Sequence, residues 1–215
     1  MENPDTRIQN NNDQLQLSDG ASEFYSKDVE AEANSYFHKL FSGKLTTIEL
    51  VHVLFRFKES PEVKNHSIYS CMIGNLFEEY KFLPKYPYKE LSVVAVLLGS
   101  LIKHHLLSHL LLGVALRGVL DALHNLADTK MYLFGTKALE QYVDRLVEWP
   151  NYSRHIMQVP HLRATHPKLV VLVECALARS SSTSHSEASI DDVAPTDHHH
   201  GTSQVGNVGV VNNGI

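Results

Sequence analysis

The feature that most constrains the fold of this chain is a helical hydrophobic period that continues through almost all of its middle part. Apolar residues recur three and four positions apart, as on one face of an α-helix, and no segment shows the two-residue alternation of a β-strand. The clearest stripe consists of Tyr69, Met72, Ile73, Leu76, Phe77 and Tyr80. The pattern therefore predicts an all-α protein.

Residues that start and stop helices divide this middle part into segments. Thr46 and Glu49 have the spacing of a capping box, Gly43 is a C-terminal stop, and Ser60-Pro61 has the order of an N-cap and a first-turn proline. About eight helices of 10–20 residues result, and their short connectors favour antiparallel neighbours. Two consecutive helices with their connectors span about 40 residues, which is the length of a hairpin in a HEAT-like solenoid. We therefore expect stacked antiparallel helical hairpins.

The polar ends of the chain are predicted to be disordered tails. Residues 1–25 and 180–215 are poor in large apolar side chains and cannot offset their ordering entropy by burial. The globular domain is placed at residues 26–179. The triple histidine at 198–200 has two interpretations, a metal site or part of a solvated tail, and the absence of a rigid scaffold around it favours the tail.

Charge and cysteine content limit the class of protein. The net charge is −5, but the tails hold nine of the 24 acidic residues and one of the 19 basic residues, so residues 26–179 carry 15 acids and 18 bases, a balance of +3. Nucleic-acid-binding domains usually show a stronger basic footprint. With two cysteines and no apolar leader, the chain is expected in a reducing compartment, the cytoplasm or the nucleus. The apolar run from Leu91 to Ile102 is too short to cross a bilayer.

No residue pattern in the sequence indicates catalysis or a cofactor. His66 and Cys71 resemble a base and a nucleophile only by proximity, and a structural cysteine is the better interpretation. His105 and His109 would share a face only in an unbroken helix, and they lie at a probable helix junction instead. Neighbouring carboxylates at Glu78 and Glu79 point in different directions, which favours an acidic docking spot over a catalytic pair. We therefore predict a non-enzyme without metal or cofactor.

The most unusual segment is residues 75–91, NLFEEYKFLPKYPYKEL, which we call the proline corner. It concentrates five aromatic residues around Pro84 and Pro87. One interpretation is ordinary packing between helical hairpins. The other is an exposed aromatic and charged patch of the kind that anchors protein interfaces. Pattern alone favours packing.

Several long segments in consistent order resemble one known family. They are EAEANSYF (30–37), FKES (57–60), CMIGNLFEEYKFLPKYP (71–87), GVALRGVLDAL (113–123), TKMYLFGTKALEQYVDRLVEWP (129–150) and HLRATH (161–166). Together they resemble the central domain of the largest subunit of the Ccr–Not deadenylase complex, most similarly its plant forms. That domain has the HEAT-like architecture named after the middle region of translation initiation factor four-G. The resemblance covers roughly residues 26–179.

This resemblance implies a scaffold role in messenger-RNA poly(A) shortening, decay and translational repression. The implied partners are a Caf/Pop-type deadenylase, through which the Ccr nuclease is tethered, a DEAD-box RNA helicase and other subunits of the complex. Membrane contact is not expected, and contact with RNA is expected to be mostly indirect. The implied location is the cytoplasm, in P-bodies, and the nucleus.

The residues expected to contact partners lie mostly in the proline corner. They are Glu78, Glu79, Lys81, Phe82, Lys85 and Tyr86, with Tyr132 and Phe134 on a predicted short connector, MYLFG, as a second group. Two alternatives stay open. The chain is a weak RNA-binding HEAT-like module, or it is a truncated paralogue that competes with the full scaffold.

Overall fold

A computed structural model describes residues 25–186, and this part of the chain is helical without any β-strand. The first five helices are α1 (Lys27–Phe41), α2 (Thr47–Lys58), α3 (Val63–Glu79), α4 (Tyr88–Lys103) and α5 (His109–Leu123). The remaining four are α6 (Lys130–Tyr142), α7 (Pro150–Met157), α8 (Leu162–Thr165) and α9 (Pro167–Ser186). Two 3₁₀ turns, Tyr80–Lys85 and Val143–Glu148, follow α3 and α6. The all-α prediction is confirmed.

Consecutive helices stack so that one apolar core runs through the described residues. α1 and α2 both pack on α3, α4 and α5 both pack on α6, and α9 closes over the second 3₁₀ turn and α7. The core extends without interruption from Val29 on α1 to Ala176 on α9. A layered stack of this kind has the architecture of a helical solenoid.

Local signals in the sequence set several helix ends as predicted. The Thr46 side chain accepts a hydrogen bond from the Glu49 backbone N–H, and the Glu49 carboxylate accepts one from the Thr46 backbone N–H in return, which confirms the capping box. Gly43 has a φ of 73°, as expected of a glycine just after a helix. Pro87 is the N-cap residue of α4.

Other predicted ends were wrong. α3 starts at Val63, after Ser60-Pro61, because the Ser60 hydroxyl accepts from the Glu62 backbone in the preceding turn. The apolar pattern of the sequence predicts a helix from Leu106, but α5 starts at His109, where Ser108 is the N-cap. The four-residue helix α8 was not predicted.

The described part of the chain differs from the predicted domain at its ends. α9 continues to Ser186, beyond the predicted end at residue 179. Tyr25, the first described residue, already packs against the core. The remainder of both predicted tails, and the histidines at 198–200, lie outside the described residues. Within residues 25–186, no helix has the length and apolar character needed to cross a membrane.

Candidate docking site

The proline corner is a folded turn whose aromatic residues divide between two surroundings. Phe82 is half-buried, with the Lys81 ammonium 5.0 Å and the Lys85 ammonium 5.7 Å from its ring centre. Tyr86 points elsewhere, and its hydroxyl donates a hydrogen bond of 2.7 Å to Glu79 Oε2. Burial and this carboxylate together raise the pKa of Tyr86. The corner therefore presents a cationic outer side at Phe82 and an acidic, aromatic inner side at Tyr86.

Tyr132 and Phe134 are core residues, and their predicted exposure on a connector was wrong. The MYLFG segment lies inside helix α6, which begins after the N-cap Thr129. The two side chains are 2% and 0% exposed, so a partner cannot contact them while the core stays packed. Gly135 suggested a loop, but a Cβ at this position would lie 3.0 Å from the Leu123 backbone nitrogen. This glycine allows two helices to pack closely. A single sequence does not distinguish such a glycine from one that ends a helix.

The inner side of the proline corner forms one wall of a narrow groove between α1 and α3, which we call the α1–α3 groove. Its volume is about 20 Å³. Phe41 on α1 faces Tyr86, with ring centres 6.5 Å apart and ring planes at 71°. The full lining is Phe37, Leu40 and Phe41 from α1, Asn75, Leu76 and Glu79 from α3, Tyr86, and Val94 and Leu97 from α4.

The same face of α1 continues beyond the groove toward the start of the helix. Glu30, Asn34, Phe37 and Phe41 are spaced by four, three and four residues, so they lie on the same side of the helix. Glu30 Oε1 and Asn34 Oδ1 are buried and have no hydrogen-bond partner among the described residues, but neither residue lines the groove. The α1 wall of the groove therefore begins at Phe37.

Acidic groups lie in and near the groove. Cys71 on α3 is buried, and its pKa is raised first by burial and then by the charge of Glu30, with a smaller contribution from Glu78. Asn75 Nδ2 donates to Cys71 Sγ at 3.8 Å. Glu79 lines the aromatic groove itself, and the carboxylates of Glu30 and Glu78 lie near enough to Cys71 to affect its pKa. This arrangement fits a ligand with apolar side chains and cationic or N–H donor groups.

A larger cavity lies on the other side of α3, between α3, α4 and α5. Its volume is about 250 Å³, and the Tyr80 hydroxyl crosses it to donate a 2.6 Å hydrogen bond to the Gly118 carbonyl. Burial raises the pKa of Tyr80 to about 12. The charged residues that line this cavity, Arg117 and Asp121, pair with each other at 3.0 Å. Glu79 in the α1–α3 groove forms no ion pair among the described residues, so the groove is the stronger candidate for a ligand with a cationic group.

The predicted site residues thus fall into three groups. Glu78, Glu79 and Tyr86 border or line the groove, Lys81, Phe82 and Lys85 lie on the outer side of the corner, and Tyr132 and Phe134 are in the core. The contribution of α1 was not predicted. A signal existed, since Glu30, Asn34 and Phe41 lie beside the buried stripe of Val29, Ala33, Phe37 and Leu40 on the helical wheel. The partner surface across the groove comes from tertiary packing, which the sequence alone does not show.

No other cluster among the described residues indicates chemistry. Residues 25–186 contain no group of three or more histidine, cysteine or acidic side chains placed to hold a metal ion. His105 and His109 are separated by the turn that ends α4, as expected of a helix junction. The stacked helices and the acidic aromatic groove define a helical docking domain.

Comparison with known proteins identifies the family. The model of the CCR4-NOT transcription complex subunit 1 TTP binding domain matches residues 2–185. The chain belongs to this family. The match begins well before the predicted domain start at residue 26, and the boundary between tail and domain stays a prediction.

Two similar proteins come from fission yeast and a nematode. General negative regulator of transcription subunit 1 of Schizosaccharomyces pombe is 35% identical over 179 residues, which is 83% of this chain and 8% of that protein. CCR4-NOT transcription complex subunit let-711 of Caenorhabditis elegans is 30% identical over 148 residues, 68% of this chain and 6% of that protein. The chain spans less than a tenth of the length of these relatives.

A solved structure shows the same fold. The N-terminal domain of yeast Not1 superposes with a TM-score of 0.68 at 27% identity, and the match covers 71% of this chain and 29% of that one. The predicted relationship to the Ccr–Not scaffold subunit is confirmed. The matching proteins are regions of this non-catalytic scaffold and not enzymes, as predicted. The domain assignment was too specific, because the matching family is the TTP binding domain and the solved relative is N-terminal. The plant-like assignment stays a prediction.

Proposed function

We propose that this chain is a non-catalytic docking domain of the CCR4-NOT scaffold, which binds a peptide segment of its partner in the α1–α3 groove. The observation that carries the proposal is the aromatic groove itself, where Phe41 on α1 faces Tyr86 and the Tyr86 hydroxyl donates to the Glu79 carboxylate. The family description names TTP as the ligand of such a domain, and we take TTP as the first candidate partner.

The groove suits a short amphipathic peptide better than a folded protein surface. Phe41 and Tyr86 offer aromatic contact, and the carboxylate of Glu79 attracts basic or N–H groups. Aromatic anchors with surrounding polar contacts carry most of the energy in such interfaces. The enclosed part of the groove, about 20 Å³, holds little more than one water molecule, so the peptide lies across its opening and inserts only single side chains.

Docking would act through proximity. A partner that holds a message, once bound to the scaffold, raises the local concentration of the deadenylases that the complex carries. The expected outcome is poly(A) shortening, messenger-RNA decay and translational repression in the cytoplasm, including P-bodies, and in the nucleus.

The outer side of the proline corner is a second, separate docking surface in this proposal. Phe82 between Lys81 and Lys85 is a half-buried aromatic ring with two cations, which suits an acidic partner surface. We assign this surface to the Caf/Pop-type deadenylase or the DEAD-box helicase. A double substitution, Lys81→Glu with Lys85→Glu, distinguishes the two surfaces, because it leaves the groove residues unchanged.

Binding of TTP tests the proposal directly. The full 215-residue chain and purified TTP are mixed at micromolar concentration, and affinity is measured by calorimetry. We expect Phe41→Ala to weaken binding about tenfold, or about 1.4 kcal/mol, since it removes an apolar wall of the groove. Phe55→Ala is the matched control, because Phe55 is 52% exposed on α2 and does not line the groove.

Two results would contradict the proposal. The first is the absence of binding by the wild-type chain at tens of micromolar. The second is equal binding by the wild type and Phe41→Ala, which would place the ligand elsewhere. Circular dichroism of each variant confirms that the helices are intact.

A further inference from the structure

The α1–α3 groove continues past Phe41 into a second cavity that contains another unpartnered acceptor. This cavity, of about 200 Å³, lies between the turn that joins α1 to α2 and the first turn of α4, and it shares Leu40 and Phe41 with the groove. Glu90 lines it. Glu90 Oε2 is buried and has no hydrogen-bond partner among residues 25–186. We call this space the Glu90 cavity.

Of the four buried side-chain atoms without partners in the described residues, two belong to α1 and one belongs to the first turn of α4. Buried polar groups in native proteins are almost always satisfied, so unsatisfied ones need an explanation. Of these three residues, Glu90 lines a cavity, so its carboxylate is the one that a ligand can approach.

We propose that the Glu90 cavity is a subsite that receives a lysine or arginine side chain of the peptide docked in the α1–α3 groove. The inference rests on the proposed docking function and goes beyond it by naming a residue class at a fixed place. A carboxylate oxygen without a donor is matched by an ammonium or guanidinium group. The aliphatic stem of either residue fits the apolar walls, which include Leu45 and Val93.

The local structure leaves Glu90 available for this role. It lies in the first turn of α4, where a negative charge is favoured by the helix dipole. None of the ion pairs formed within the described residues involves Glu90. Its neighbour Lys89 also lines the cavity but is exposed, and it forms no ion pair with Glu90. Within residues 25–186 the Glu90 carboxylate is therefore open to a cationic group of the docked peptide.

The position of the cavity also sets the spacing between the basic residue and the apolar residues of the peptide. Asn34 and Phe41 are seven residues apart on α1, which corresponds to about 10 Å along the helix axis. An extended peptide covers this distance with about three residues. The basic residue therefore lies at one end of the bound segment and at a constant spacing from the apolar residues over Phe37 and Phe41.

A phage-displayed library of random 12-residue peptides tests this inference. The full chain is used as bait in three forms: wild type, Glu90→Gln and Phe41→Ala. We expect peptides selected by the wild type to share apolar residues and a lysine or arginine at one fixed position. Glu90→Gln keeps the shape of the side chain and removes its charge, so the basic preference at that position should disappear while the apolar residues remain. Glu59→Gln, an exposed carboxylate outside the cavity, is the matched control.

Synthetic peptides give the quantitative measurement. Replacement of the selected basic residue by norleucine keeps an apolar stem and removes the charge. This change should weaken binding to the wild type about tenfold and binding to Glu90→Gln less than twofold. A loss below twofold with the wild type overturns the inference even if Glu90→Gln does not fold.

The outcomes separate the two proposals. Peptides that need Phe41 but retain the same basic position with Glu90→Gln overturn the Glu90 subsite and leave the docking groove in place. If selection on the wild type yields no peptide that depends on Phe41, both the docking function and the subsite are overturned.

Discussion

At the scale of single residues, His105 has the least favourable backbone conformation in the described part of the chain. Its φ is 56°, and no other described residue except glycine has a positive φ. It follows α4, where Leu106 N donates to the Leu101 carbonyl and His105 N donates to the Ile102 carbonyl. This pair of bonds is the Schellman motif, which usually places glycine at the left-handed position. Lys58 on α2 donates a 2.7 Å hydrogen bond to the His105 carbonyl and holds the turn in place.

His105→Gly is therefore expected to stabilise the protein. The substitution relieves the left-handed strain of a residue with a Cβ, and the net gain should be about 0.5–1 kcal/mol after the greater entropy of glycine in the unfolded chain. Urea unfolding followed by circular dichroism measures it. His104→Gly is the control and should destabilise, because His104 has a negative φ of −95°. An unchanged or lower midpoint for His105→Gly would show that the imidazole makes a compensating contact.

At the scale of helices, the most tightly enclosed glycine among the described residues is Gly99, where α4 packs on α6. A Cβ on Gly99 of α4 would lie 2.3 Å from the Ala138 carbonyl oxygen and 2.8 Å from Gln141 Cβ on α6. Backbone cannot move aside as a flexible side chain does, so only glycine allows the two helices to pack at this distance. The α4–α6 contact is also the most extensive between any two described helices.

Gly99→Ala should destabilise the protein by about 2–3 kcal/mol, because the added methyl group forces the helices apart. Gly74→Ala on α3 is the matched control, since no atom outside its own helix lies within 4 Å of a Cβ at that position. It should stabilise by roughly 0.5–1 kcal/mol through helix propensity alone. The two variants are compared by thermal and urea unfolding. Equal effects of the same sign would contradict the close packing of α4 on α6.

How far the sequence predicts this structure is clearest for individual helices. The Thr46–Glu49 capping box needs only residues three apart, so its helix start was predictable. The start of α6 was not predictable, because the sequence does not show whether Gly135 breaks a helix or allows Leu123 to pack closely against it. The groove was predicted only on its α3 side, because the partner face of α1 is set by packing between helices. The burial of Tyr132 and Phe134 was not predicted for the same reason, since it also depends on packing between helices.

At the scale of the whole molecule, a single core joins the first described helix to the last. Arg145, on the second 3₁₀ turn, donates to the Ile102 carbonyl near the end of α4 and ties the C-terminal helices to the middle of the stack. It also lies 4.7 Å from the ring centre of Trp149, the only tryptophan in the chain. Trp149 therefore reports on the C-terminal part of the stack, whereas helicity reports on all of it.

We expect unfolding in urea to give the same midpoint by Trp149 fluorescence and by circular dichroism at 222 nm. Solenoids with weak interfaces between repeats lose this coincidence, whereas a continuous core retains it. A fluorescence midpoint at clearly lower urea would mean that α7–α9 unfold before α1–α6. Arg145→Met should separate the two midpoints, because it removes the tie to Ile102 and keeps most of the apolar stem.

The two cysteines give the molecule a built-in attachment point for a reporter dye. Burial raises the pKa of the Cys71 thiol under the groove, so it is protected from alkylation, whereas Cys175 is exposed on α9. A maleimide fluorophore should therefore attach to the wild-type chain at Cys175 alone, on a helix that contributes no residue to the groove. The tumbling of the labelled protein can then be followed in solution as candidate partners are added, without engineering a new cysteine.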